Sequence, residues 1–464
     1  MKNYSANENL KTKTPPPNCG VSECALPLGV RRQAERDAAL RGVSPGPDAI
    51  HAAAAIRKRC HRHRPPRRPA FSGTFLRIGL TMLLVAASAN VSRGQNEINI
   101  QQEINVPGMT KPIPVSLEGF SGQVADVLKF DLYVQGFAFV APDAAQYQIS
   151  GSNSGNVIGS VTDKFARKAL LSRSYTGATP LAQAHLFADD IVFAITGKKG
   201  IAQTKIAFKA QQPDGNGEIY VADFDGYAPQ AVTSDDTIVA APAWAPGRLA
   251  LCYTSYKLGN PDVFYHDLST GQRRVLAAYS GLNDSAAVSP DGSKVAMILS
   301  KAGSPNVWVC NLDGSNLKRL TTGIEDSSPC WSPDGQWICF AAKTKTQERR
   351  RLAKVSADGG EVHYFNTSGV ANPTEPDWSP DGKWIAFTSQ MGEFDICVLP
   401  ADGSAVPTVL VRGEDPSWSP NSRTLICARR SAGRYTLSVL DVLTKQVKDI
   451  PRISGSDSEP AWAR

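Results

Sequence analysis

Histidine, cysteine, serine and paired acids are the side chains with which this chain could hold a metal or attack a substrate, and their spacing decides which of these is open to it. Cys60-His61-Arg62-His63 looks like part of a zinc site, but no second ligand pair stands at a suitable spacing. Downstream only His185, His266 and His363 remain, one on an expected helix and two in different repeat units, so they are not expected to converge on a metal. Gly151-Ser152-Asn153-Ser154-Gly155 fails the Gly-x-Ser-x-Gly nucleophile pattern because its centre is Asn153. Asp214-Gly215-Asn216-Gly217-Glu218 opens like a calcium loop and then lacks the remaining ligand spacing, so a hairpin turn explains it better. Cys252, Cys310, Cys330, Cys339, Cys397 and Cys427 mostly sit inside apolar runs scattered over different repeats, and are expected to be mostly free, buried thiols. The residues call for no cofactor, no metal and no catalytic group.

The elements that would position any site come from a repeat. Val288-Ser289-Pro290-Asp291-Gly292, Trp331-Ser332-Pro333-Asp334-Gly335 and Trp378-Ser379-Pro380-Asp381-Gly382 are full copies. Trp244-Ala245-Pro246-Gly247 and Trp418-Ser419-Pro420-Asn421-Ser422 are degenerate ones, and Trp462-Ala463-Arg464 is truncated. From the first Trp-type position to the last the steps are 44, 43, 47, 40 and 44 residues, the period of a β-propeller blade. Proline presets φ for the turn, Asp suits the next position and Gly supplies the left-handed conformation, so each motif is a hairpin tip. Apolar runs such as Lys294-Val295-Ala296-Met297-Ile298 and Trp384-Ile385-Ala386-Phe387 follow it, as strands buried on both faces do.

The strand after the turn occurs six times, starting at Lys205. The strand before it also occurs six times, but out of phase, so the first unit lacks an innermost strand and the end of the chain carries a spare one. The fold expected is mostly β: a six-bladed β-propeller closed by Glu459-Pro460-Ala461-Trp462 in the first blade, preceded by a small α/β domain. The expected domains are a basic stretch over 1–76, read as a disordered leader or a misassigned start, a signal peptide over 77–94, the α/β domain over 95–200 and the propeller over 201–464. Within the α/β domain, helical spacing covers roughly 121–134 and 179–196, with Thr179-Pro180 as start and Gly197 as stop.

Charge separates these parts. The chain of 464 residues carries a formal +7. Residues 1–77 hold 15 Lys/Arg and 5 Asp/Glu, a net of +10, which leaves −3 for the rest. The folded part is mildly acidic and has no electrostatic footprint for nucleic acid. Arg67, Arg68 and Arg77 precede the apolar run Ile78 to Ala87, followed by small residues, the pattern of a signal peptide cleaved after Ala89 or Gly94. That run is too short for a membrane span.

With these features in place the chain resembles the TolB-like six-bladed β-propeller family, periplasmic components of the bacterial Tol–Pal envelope system. The resemblance rests on the blade motifs, on Phe187-Ala188-Asp189-Asp190-Ile191-Val192-Phe193 with Gly200-Ile201-Ala202-Gln203-Thr204-Lys205, on Asp223-Phe224-Asp225-Gly226-Tyr227 and on Glu459-Pro460-Ala461-Trp462. It covers about 95–464, is strong over 186–464, and is weaker over 95–185, where this chain is shorter than the family pattern. It implies a monomeric periplasmic scaffold, not an enzyme, that binds a Pal-like lipoprotein through a propeller face and a TolA-like inner-membrane protein through its mature N-terminus.

On that face the loops leading into the innermost strands are the expected Pal-like partner-binding residues. They are Leu282, Asn283 and Asp284; Glu325, Asp326 and Ser327; Asn372, Pro373 and Thr374; Gly413, Glu414 and Asp457. For any one of them an ordinary solvated turn is the competing reading. Glu97, Ile98, Asn99 and Ile100 are the expected TolA-like partner-binding arm, since alternating Ile98 and Ile100 suit strand addition; a strand of the α/β domain itself is the other reading. Charge reversal at Glu325 and Asp326 together is expected to weaken partner binding without unfolding the ring. The alternative class is a propeller-type periplasmic hydrolase or lyase, or a ligand sensor.

Overall fold

Turn chemistry launches the blades in the computed structural model, which describes residues 106–464 apart from Ala178, residues 213–214, residues 345–346 and Ser454. The leader, the secretion signal with its cleavage at Ala89 or Gly94, the arm from Glu97 to Ile100 and Asp214 lie outside the described residues. In the three full motifs Gly292, Gly335 and Gly382 take φ of 71°, 70° and 76°, the left-handed region that glycine enters at least cost. The Gly292 amide donates to the Ser289 carbonyl at 2.8 Å and closes the turn. The Ser289 hydroxyl donates to Asp291 Oδ1 at 2.6 Å and accepts from the Lys294 amide, while Asp291 Oδ1 also accepts from the Ser293 amide. The same pattern recurs at Ser332–Asp334 and Ser379–Asp381, so Ser and Asp together satisfy the amides a hairpin tip leaves open.

Six antiparallel four-stranded sheets result. Their innermost strands are Val239–Trp244, Asn283–Val288, Glu325–Trp331, Thr374–Trp378, Glu414–Trp418 and, for the first blade, Ser456–Trp462. Each innermost strand packs on the next, and the last packs back on the first. Ser456–Trp462 pairs antiparallel with Lys205–Gln211, Asp457 opposite Ala210 and Trp462 opposite Ile206. The ring is therefore six-bladed and closed by the final strand, as the phase of the repeats requires.

Between neighbouring blades lie separate apolar cores, for example Ile338, Phe340 and Val355 against Val307 and Ala296. Three of the motif tryptophans stitch these seams: Trp331 Nε1 donates to Ala287 O at 2.9 Å, Trp418 Nε1 to Asp377 O at 3.1 Å and Trp244 Nε1 to Ala461 O at 3.1 Å. A buried indole brings a large apolar area and needs one acceptor, which the preceding blade supplies. The six cysteines in this region are free and buried.

Ahead of the ring, a five-stranded sheet in the order Phe137–Phe139, Ile113–Glu118, Tyr147–Ser152, Val157–Asp163, Lys168–Tyr175 carries helices Gly122–Tyr133 and Pro180–Thr196. Thr179 caps the second helix, its hydroxyl accepting from the Ala182 amide at 3.1 Å, and Gly197 ends it at φ 69°. The apolar core of this layer runs into the seam between the last and first blades, through Phe130, Phe224 and Trp462.

Candidate functional site

Strand direction divides the expected site from the turns. Every innermost strand runs away from one rim, the upper one, where the loops entering it and the hairpins joining second to third strands gather. The lower rim carries the Ser-Pro-Asp-Gly turns. The α/β layer rests at the lower end of the sixth blade: the Gly108 amide donates to Val442 O, Gln446 Nε2 donates to Phe137 O and Thr110 N donates to Leu443 O.

The upper rim brings Leu282, Asn283, Asp284, Glu325, Asp326, Ser327, Asn372, Thr374, Glu414 and Asp457 to one end of the ring, and then sorts them by burial. Asn283, Asp326, Thr374, Glu414 and Asp457 are buried. Asn283 accepts from the Tyr279 amide at 2.9 Å and donates to Pro261 O and Tyr279 O, holding the link between second and third blades. Asp326 accepts from Asn306 Nδ2 at 3.0 Å and from the Thr321 hydroxyl, and burial pushes its pKa up. Burial also pushes Asp457 up, to about 6. Asp284 lies half-buried, accepting from the Thr254 hydroxyl at 2.9 Å. Leu282, Glu325, Ser327 and Asn372 are half-buried and border the surface. Leu258, Ile324 and Met391 add exposed apolar area to the same rim.

This burial revises one expectation. A cation at position 326 would face two buried donors, so reversing Asp326 attacks the ring itself. Glu325 is not a simple surface charge either: its carboxylate accepts from Arg350 Nη2 at 2.6 Å, and that guanidinium is almost wholly buried. The histidines stay apart. His185 sits on the second helix, His266 on the third strand of the second blade, and His363 on the outermost strand of the fourth blade.

Three features of the rim escaped the sequence reading. Asp235, at the loop into the second blade, is held by both terminal nitrogens of Arg273 at 2.8 Å, by Lys257 at 3.0 Å and by the Ser255 hydroxyl. Burial alone would raise its pKa; these donors hold it down to about 2. Arg349, Arg350 and Arg351 line a cavity of about 690 Å³ between the fourth and fifth blades. The triplet itself was the available signal. Finally, the innermost strand of every blade carries a bulge with a non-glycine residue at positive φ: Ala241, Ser285, Ser328, Glu375, Asp415 and Glu459.

Comparison with known proteins agrees with this architecture. Residues 193–464 match the TolB beta propeller domain family. A Tol-Pal system protein TolB of Desulfosudis oleivorans is 33% identical over 162 residues, 34% of this chain and 36% of that protein. The one of Anaeromyxobacter dehalogenans is 34% identical over 160 residues, 33% of this chain and 36% of that protein. The match thus spans little more than a third of the length of these relatives. The crystal structure of TolB from Acinetobacter baumannii superposes with a TM-score of 0.69, covering 77% of this chain and 98% of that one at 22% identity, a likeness of fold.

Proposed function

The chain belongs to the TolB beta propeller domain family, and from that premise we propose that it is a periplasmic protein-binding scaffold of the Tol–Pal system rather than an enzyme. In this reading the upper rim binds a Pal-like outer-membrane lipoprotein, and the arm from Glu97 to Ile100 engages a TolA-like inner-membrane protein. The chain would then couple the two membranes during cell division and in maintaining the outer membrane. The observation that carries the reading is the closed ring with loops of all six blades on one rim. Closure fixes those loops relative to one another without ordering cost on binding, which suits a docking surface.

The test is a titration of the exported chain with the soluble domain of a peptidoglycan-associated lipoprotein. Saturable one-to-one binding is expected. Leu258→Asp combined with Met391→Asp, two exposed positions of the upper rim, should weaken it about tenfold, roughly 1.4 kcal/mol, with the thermal midpoint nearly unmoved. Absence of binding, together with turnover of a sugar or peptide substrate, would replace the scaffold by the enzyme class.

A further inference from the structure

The cavity between the fourth and fifth blades opens on the upper rim and is walled by one run of arginines and one polar turn. Arg349, Arg350 and Arg351 lie on the third strand of the fourth blade, Gln347–Ser356. The turn Asn366-Thr367-Ser368 faces them, and Val370, Ala371 and Asn372 complete the lining. The arginines are not equivalent. Arg350 is buried and paired with Glu325, and its Nη1 donates to the Ser327 hydroxyl at 3.2 Å. Arg351 lies 4.7 Å over the Tyr364 ring and donates to Phe365 O. Arg349 is exposed, and among the described residues it has no ion pair or hydrogen bond. The turn is preformed: Asn366 Oδ1 accepts from the Ser368 amide at 3.1 Å and from its hydroxyl at 2.7 Å. The Ala371 amide and carbonyl are both tied to Ser389.

From this geometry we propose that the cavity is a carboxylate-binding subsite, which takes an acidic side chain of the protein that docks on the upper rim. Arg349 supplies a charge that no described residue pairs. Its planar fork suits a two-oxygen anion. Arg351 is held in place by its ring and carbonyl contacts, so it adds a fixed second positive charge. Thr367 and Asn366 offer neutral donors, and Val370 and Ala371 offer apolar contact for the methylene stem of a glutamate. A volume of about 690 Å³ is within the range of sites for drug-sized groups and far exceeds a single inorganic ion.

This inference rests on the docking reading of the upper rim, and the experiment separates the two. The exported chain and its Arg349→Glu variant are titrated with a labelled hexaglutamate peptide, with inorganic phosphate as competitor, and in parallel with the soluble domain of a peptidoglycan-associated lipoprotein. Saturable peptide binding is expected at low salt, weakened at least tenfold by Arg349→Glu and little disturbed by phosphate at equal ionic strength. Lipoprotein binding should weaken in the same direction. Because Arg349 is exposed, the variant should keep the native melting temperature. Peptide binding that the variant leaves unchanged, or no saturable peptide binding, overturns the subsite. Strong displacement by phosphate identifies a phosphate site and overturns the carboxylate assignment. Undiminished lipoprotein binding by the variant overturns the subsite and leaves the docking reading standing. A chain that binds the peptide through Arg349 but binds no lipoprotein keeps the subsite and loses the named partner.

Discussion

Asp131 of the first helix and His185 of the second meet at 2.7 Å where the α/β layer rests on the ring, with Asp225 3.9 Å from the other imidazole nitrogen and Arg452 bonded to Asp225. Burial pushes the Asp131 carboxyl up to about 7, against the bond and charge of His185 that pull it down. On His185 burial acts downward, but the hydrogen bond and charge of Asp131, then Asp225, outweigh it and leave its pKa above 6.5. Both groups thus hold their protons to higher pH in the folded chain than in the unfolded one. Folding takes up protons over that window, so the stability this pair contributes is greatest in acid and falls as pH rises from about 4 through about 7. Asp131→Asn keeps the shape and removes the titrating carboxyl. Denaturant midpoints at pH 5 and pH 8 should show the native chain losing at least about 1 kcal/mol more than the variant across that interval. Parallel pH profiles would show that the pair does not titrate as described.

At the scale of the element, the innermost strands share a feature that no residue type announces. The third residue before each Trp-type position is Ala241, Ser285, Ser328, Glu375, Asp415 or Glu459, and all six stand at φ between 51° and 56°. A non-glycine side chain there costs roughly 1 kcal/mol, and a β-branched one more. The bulge persists because it turns strand amides toward neighbouring blades: the Ala241 amide donates to Glu459 Oε2 at 2.6 Å and the Asp415 amide to Thr388 Oγ1 at 3.0 Å. Ala241→Gly should therefore raise stability by about 0.5–1 kcal/mol and Ala241→Val lower it by about 1–3 kcal/mol, read from urea midpoints. If the glycine variant is the less stable, the left-handed backbone carries no strain at this position.

The same bulges mark where sequence reading reached its limit. The Trp-Ser-Pro-Asp-Gly spacing made blade number, strand order and closure legible, because turn residues and apolar periodicity are local physics. Thr179 and Gly197 marked their helix for the same reason. The bulges were not legible, since Ala, Ser, Glu and Asp share no propensity for positive φ. Nor was the burial of Asn283 and Asp326, polar loop residues that disappear inside because ring closure brings the amides and carbonyls of consecutive blades onto them. Nor was the cavity at Arg349 to Arg351, since the turn at Asn366 that lines it with them is brought there only by the packing of the fourth and fifth blades.

At the scale of the whole molecule the ring stands or falls at one seam. Ser456–Trp462 gives the first blade its innermost strand, and its neighbours hold it from both sides. The Trp462 amide donates to the Ser417 hydroxyl at 3.1 Å, the Glu459 amide to Asp415 Oδ2 at 3.3 Å, and Trp462 Nε1 to Thr204 Oγ1 at 2.8 Å. Arg464 then crosses the lower rim to bond Asp377, Trp378 O and Trp418 O. The α/β core lies against this seam through Phe224 and Trp462, so one strand supports two layers at once. Removing residues 456–464 would expose the edge of Lys205–Gln211, a ready template for pairing between chains, and would uncover the core beneath the helices. The shortened chain should self-associate on size exclusion and unfold over a broad, non-two-state transition, while a synthetic peptide of residues 456–464 added in trans should restore the monomer and sharpen the transition. A shortened chain that stays monomeric and unfolds with the native midpoint and slope would mean that the other five seams suffice, and that the final strand decorates the ring without closing it.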